Sequence, residues 1–255
     1  MHLSCTSVLL LTAAATAAAD DPFIGKWKEN LAKDKIADAI VTYEVTAPGE
    51  MRVTSEGRAY KFRMDQKEYP TSIGSMVAWK QVDGSTWETV YKTNGILDWI
   101  TTTRLSTDGK TLNVTEKGKR SDGEPFEDNE IYQRVSGGPG LAGSWKLTWW
   151  KFSSAFIMEI SQYEADGITW RFPWDATLNA RFDGEDYSVT GPGTPAGSTV
   201  ALKRTGPRSF EEIQKINGKV MYTGTVTVSA DGKTLTEVLI PPGSNEKTKT
   251  VYDRQ

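Results

Sequence analysis

The chain has 255 residues, a formal net charge of −3, and 38% hydrophobic against 25% charged residues. The charge is balanced along its length, with 17 basic and 20 acidic residues from Asp20 to Gly138 and 13 of each thereafter, so neither half offers the basic face that nucleic acid or an anionic membrane requires. The single Cys and the single His are Cys5 and His2; beyond them the chain has no means of building a disulfide, a thiolate nucleophile, a Ser-His-Asp triad or a zinc site of His and Cys.

Residues 1–19 combine an apolar run from Val8 to Leu11 with an Ala/Thr-rich stretch ending Ala17-Ala18-Ala19. The pattern reads as a signal peptide, although its n-region has no Lys or Arg, and it predicts a secreted or periplasmic protein starting at Asp20. Cys5 precedes the apolar run, which argues against a lipoprotein anchor. No later stretch approaches the ~20 apolar residues of a spanning helix, so no integral membrane segment is expected. A secreted chain without disulfides relies on its core, and nine Trp, nine Tyr and eight Phe supply much of one.

The chain repeats itself. Phe23-Ile24-Gly25-Lys26-Trp27-Lys28 returns as Leu141-Ala142-Gly143-Ser144-Trp145-Lys146, Ser106-Thr107-Asp108-Gly109-Lys110-Thr111-Leu112 as Ser229-Ala230-Asp231-Gly232-Lys233-Thr234-Leu235, and Tyr132-Gln133-Arg134 as Tyr252-Asp253-Arg254. A period this long indicates two duplicated domains and not a solenoid. The expected division is residues 20–135, a Gly/Pro linker over 136–140, and residues 141–255.

Taken in order, Lys28–Ile36 has the composition of a short helical turn. Strands are predicted at Ile40–Thr46, through Tyr60, Phe62 and Met64, and at Met76–Val82, Thr86–Lys92, Trp99–Leu105, Thr111–Lys117 and Glu130–Val135, from their period of two and the Gly, Asp, Asn or Pro between them. Tyr222–Val228 and Thr234–Leu239 follow in the second repeat. Each Asp-Gly pair between Thr- and Leu-containing runs predicts a hairpin; the pair at Asp108 lacks the earlier Gly and the following helix of a phosphate loop. The fold class is therefore all-β, two tandem up-and-down antiparallel barrels.

The opening Phe-x-Gly-x-Trp-Lys and closing Tyr-x-Arg, about 110 residues apart around an antiparallel pattern, resemble the calycin superfamily, and within it fatty-acid-binding proteins and small bacterial lipocalin-like domains. The resemblance implies that Trp27 meets Arg134 and Trp145 meets Arg254 in a structural cation–π contact at the closed end of each barrel. Fatty-acid-binding proteins hold the ligand carboxylate with an Arg two residues before the closing Tyr. Here Glu130 and Thr250 occupy those positions, which argues against fatty-acid carriage. The first repeat also lacks room for the family's helical lid.

Ligand-binding residues are sought among the aromatic strands of the second repeat: Trp150, Trp170, Trp174 and Tyr187, with the closing Tyr252. Trp79, Trp87, Tyr91 and Trp99 are the weaker analogue in the first repeat. The alternative is that these rings only fill a packed core. Two groups of acids, Asp183, Glu185 and Asp186, and Glu124, Glu127, Asp128 and Glu130, sit in turn-like sequence where exposed carboxylates are ordinary. Asn113-Val114-Thr115 fits the N-glycosylation pattern. No catalytic residue, metal site or cofactor is expected. The reading is a binding protein for a small apolar or aromatic ligand in a barrel lumen; the alternative is a scaffold of packed barrels presenting loops such as Gly191–Gly197 to a protein or envelope partner.

Overall fold

The computed structural model describes residues 21–33, 39–55, 58–120, 123–153, 155–243 and 247–255; the predicted leader lies outside them. The first repeat forms β1 (Gly25–Glu29), β2 (Ile40–Ala47), β3 (Glu50–Ser55), β4 (Arg58–Phe62) and β5 (Asp65–Pro70). It continues with β6 (Met76–Gln81), β7 (Thr86–Thr93), β8 (Ile96–Leu105), β9 (Thr111–Lys119) and β10 (Pro125–Ser136). The second repeat forms β11 (Gly143–Lys151), β12 (Ile157–Tyr163), β13 (Gly167–Phe172), β14 (Ala176–Arg181) and β15 (Asp183–Thr190). It ends with β16 (Ser198–Gly206), β17 (Ser209–Ile216), β18 (Lys219–Val228), β19 (Thr234–Ile240) and β20 (Thr248–Arg254). Among the described residues there is no helix, and hence none long and apolar enough to cross a membrane. The helical turn expected over Lys28–Ile36 is replaced in its described part by the end of β1 and a turn; residues 34–36 lie outside the described residues.

All strand pairs are antiparallel, and each strand's alternation assigns one face to the interior. On β14, Ala176, Leu178 and Ala180 are buried while Asn179 and Arg181 are exposed. Two ten-stranded sheets result. One is a closed barrel in the order β1-β12-β13-β14-β15-β16-β17-β18-β19-β20; the other runs β4-β3-β2-β11-β10-β9-β8-β7-β6-β5 and is open between β4 and β5.

The sheets do not follow the repeat boundaries. β1 pairs with β12 and β20, so the opening strand of the first repeat belongs to the sheet of the second, while β11 pairs with β10 and β2. The cause is local. Only residues 137–142 separate β10 from β11, so β11 turns back beside β10 as a hairpin and occupies the edge that β1 would otherwise take. Residues 40–151 are thus a complete sheet placed between β1 and β12, the inserted barrel; β1 and β12–β20 form the closed barrel.

This exchange corrects the expected Trp–Arg partners. The Arg134 guanidinium lies 3.9 Å over Trp145, and that of Arg254 lies 4.1 Å over Trp27. Both Trp are fully buried, with Nε1 donating to the carbonyls of Leu141 and Phe23 at 2.9 and 2.8 Å. Each Arg also ties down an Asp-Gly hairpin, its Nε donating to Gly109 O at 2.7 Å in one copy and Gly232 O at 2.6 Å in the other. These hairpins are wider than a two-residue turn: Ser106 and Thr111 close the first by Ser106 N–Thr111 O at 2.9 Å, with Gly109 at φ 70°. The Gly of the opening motif is explained by the same contact. A Cβ on Gly25 would lie 2.5 Å from Arg254 Nη1, and one on Gly143 2.9 Å from Arg134 Nη1. The motif Phe/Leu-x-Gly-x-Trp with its distant Arg is therefore a barrel plug, worth a cation–π contact of about 0.5–2 kcal/mol in addition to the burial of the indole.

Candidate ligand cavities

Above each plug the lumen is hollow. The closed barrel holds a cavity of about 410 Å³ and the inserted barrel one of about 550 Å³. Arg58 and Ile73 line both, so the two mouths face each other. The loop 191–197 closes this junction: Asn94 Nδ2 donates to Thr194 O at 2.8 Å, and Pro195 lies against Gly74. The loop expected to present itself to a partner is thus engaged by the other barrel. A third cavity, about 550 Å³, lies between the barrels beside Leu97, Phe126, Phe156 and Trp174.

In the closed barrel, the phase of β13 and the turn after it puts Trp170, Phe172 and Trp174 on one side of the lumen. Their rings stack at 4.9 and 5.0 Å between centroids. This ladder climbs from Trp170, 1% exposed, to Trp174, 52% exposed at the mouth. Trp170 is fixed from below by Nε1 against Met158 Sδ at 3.1 Å. Val189, Val200, Met221 and Leu239 complete the apolar wall, and Gln214, Glu237 and Tyr252 add polar atoms. Glu237 lies beside Glu212 diagonally across the strand between them, on which Gly224 stands opposite Glu212 and Val226 opposite Glu237. Both residues are buried, and burial, reinforced at Glu237 by its neighbour's charge, pushes both carboxyls upward, Glu237 far. Gln214 Nε2 donates to Glu212 at 2.9 Å, and the Tyr252 hydroxyl reaches Glu237 at 3.4 Å.

The inserted barrel has a different lining. Tyr43, Tyr60, Tyr91, Tyr132, Trp79 and Trp99 supply the rings, Thr89, Thr101 and Thr103 the hydroxyls, and Glu116 and Glu130 the carboxyls. Tyr132 donates to Glu130 at 2.7 Å, Thr101 to Glu116 at 3.3 Å, and the Tyr60 and Tyr91 hydroxyls meet at 3.1 Å. Burial, with Glu130 alongside, pushes Glu116 up to about 7; burial likewise raises Glu130 and the four tyrosines.

Of the residues anticipated from sequence, Trp170, Trp174 and Tyr252 line one cavity. Trp150 does not join them, because β11 belongs to the inserted barrel. Tyr187 packs against the closed barrel's core but does not line its cavity; its hydroxyl donates to Asp183 at 2.7 Å and accepts from Arg181 at 2.8 Å. In the first repeat Trp79, Tyr91 and Trp99 line the cavity, and Trp87 is buried in the core below.

Asp183, Glu185 and Asp186 are exposed, as expected. The second acidic group divides: Glu124 and Glu127 are exposed, Asp128 is buried and accepts from Ser153 N at 2.7 Å, and Glu130 faces the lumen. Glu116, Glu212 and Glu237 were not anticipated. Phase betrays all three, for Glu116 shares its strand face with Leu112 and Val114, Glu212 with Phe210, and Glu237 with Leu235. Among the described residues no group of three or more His, Cys, Asp or Glu is placed to hold a metal. No protein-family model, curated protein or solved structure matches this chain.

Proposed function

We propose that the chain is an exported, non-enzymatic binding protein of calycin-like build, holding a small apolar or aromatic ligand in the lumen of the closed barrel. The observation that carries this reading is the cavity of about 410 Å³ beneath the stacked ladder Trp170–Phe172–Trp174. A ring-lined pocket with a few polar atoms at one side is the usual form of a small-molecule site. Trp170 and Trp174 would stack on the guest, while Tyr252 and Gln214 would orient a hydrogen-bonding group on it. The carboxyl of Glu237 in the lining, with Glu212 beside it, suits a neutral guest better than an anion. The test is to titrate the protein with neutral aromatic compounds and long-chain alcohols while following Trp fluorescence. Saturable binding weakened about tenfold or more by Trp170→Ala is expected, given the ~1–3 kcal/mol that one aromatic anchor contributes. Absence of saturation across both sets rejects the reading.

A further inference from the structure

The inserted barrel asks for another guest. Two carboxyls, Glu116 and Glu130, project into a cavity of about 550 Å³ whose walls are tyrosine and tryptophan rings. Arg58, the cation lining this space, is already committed to the closed barrel: it bonds the Tyr222 hydroxyl, and its guanidinium lies 4.8 Å over the Tyr222 ring. The indole nitrogen of Trp99 is buried with no hydrogen-bond partner, and that of Trp79, a residue only 3% exposed, is buried beside the Tyr60 hydroxyl. The cavity thus contains two carboxyl acceptors, electron-rich ring faces and the unpaired indole N–H of Trp99.

We propose that the lumen of the inserted barrel is a second, separate binding site, for an organic ammonium ion carrying an aromatic or apolar body and an oxygen acceptor. An ammonium group among Glu116, Glu130 and the rings gains charge-assisted hydrogen bonds and cation–π contacts together, while the guest's oxygen takes up the indole N–H of Trp99 that otherwise stays unpaired. Burial raises both carboxyls, and an ammonium group placed beside them would oppose that shift. The proposal rests on reading the lumens as ligand sites but concerns the other barrel, so the two are separable by experiment.

The test is isothermal titration of the full chain with tyramine and tryptamine, with their uncharged counterparts tyrosol and tryptophol, and with the anionic 3-(4-hydroxyphenyl)propanoate. The amines are expected to bind at least about tenfold more tightly than the matched alcohols, and the acid most weakly. Glu116→Gln and Glu130→Gln, verified as folded by circular dichroism, should each narrow the gap between amine and alcohol, whereas Trp170→Ala should leave it intact. Equal binding of amine and alcohol, a gap that survives both Gln substitutions, or no saturable heat from either amine overturns the proposal. The comparison of wild-type affinities requires no variant and stands even if a substituted barrel fails to fold. Loss of amine binding with intact binding of neutral aromatics sinks this site alone; the reverse sinks only the closed-barrel reading.

Discussion

Replacing Trp27 by Ala tests the strand exchange, because the residue sits in the first repeat but fills the barrel of the second. Its indole is fully buried, hydrogen-bonded to Phe23 O at 2.8 Å, covered by Arg254 at 4.1 Å and packed in the cluster of Phe23, Met158, Ile160 and Leu235. Truncating a buried Trp costs about 3–5 kcal/mol. Arg254 keeps its carbonyl partners Gly232, Ile24 and Pro22, so its charge is not stranded and the upper part of that range is not required. Where amide exchange reports opening equilibria, 3 kcal/mol corresponds to acceleration of roughly a hundredfold, since 1.4 kcal/mol is a factor of ten. Hydrogen exchange read by peptide mass spectrometry should show that acceleration across the strands between Ile157 and Arg254 and leave those between Ile40 and Lys151 near wild-type protection. Trp145→Ala should do the opposite. If Trp27→Ala loosens the peptides of β2–β10 and spares β12–β20, each repeat closes on its own first strand and the exchange is refuted.

Two further perturbations follow from the lumens. A carboxyl raised from 4.5 to about 7 on folding is bound to more protons in the folded than in the unfolded state between those values, so its contribution is fully present below pH 4.5 and is lost as pH rises through 7. The interval is worth at most about 3.5 kcal/mol at 1.4 kcal/mol per pH unit; urea unfolding at pH 5 and pH 8 should find Glu116→Gln gaining stability over wild type chiefly at the higher pH, and a difference independent of pH would contradict the burial of the Glu116 carboxyl. Gly224→Ala puts a methyl 2.6 Å from Leu239 Cδ2 and 2.9 Å from Val238 O. It should cost about 1–3 kcal/mol in thermal unfolding as an overpacked site, and an unchanged melting temperature would show that β18 and β19 yield freely there.

Much of the barrel was legible because a half-buried strand declares its period. Strands predicted at Thr86–Lys92 and Thr111–Lys117 fall within β7 and β9, and the Asp-Gly repeats mark equivalent hairpins. What periodicity cannot supply is the partner of a strand, since β1 and β11 carry the same motif and either satisfies the same edge. The choice between them depends on the length of the connection from β10, a three-dimensional constraint that no side chain records. The buried acids were passed over for a related reason. Glu116 and Glu237 fall inside strands predicted from sequence and Glu130 sits among turn-like acids, so charge alone marks them as solvated, yet their phase along the strand matches the inward residues, and phase decides which face a side chain takes.

The duplication allows the two lumens to be compared row by row. The hairpins place Val114 where the other copy has Glu237, and Glu116 where it has Leu239; across the ladder, Thr103 and Thr101 stand opposite the first copy's pair as Val226 and Gly224 stand opposite the second's. On the next strand Thr89 corresponds to Glu212 and Tyr91 to Gln214. The plugs differ far less, since Trp, Arg, the opening-motif Gly and the Asp-Gly turn recur in both copies with contacts matching to within 0.2 Å over the indole, 3.9 against 4.1 Å. A plug must satisfy only the fold, and both copies keep the same solution. A lumen that served only as core would be under the same constraint and would be filled with interchangeable apolar side chains. Instead each copy places its carboxyls on different rows, one beneath an apolar ladder and the other inside a ring of tyrosines, and each bears the cost of desolvating them. That cost gives the barrel no packing advantage, and the divergence is what the proposal of two guests of different polarity requires.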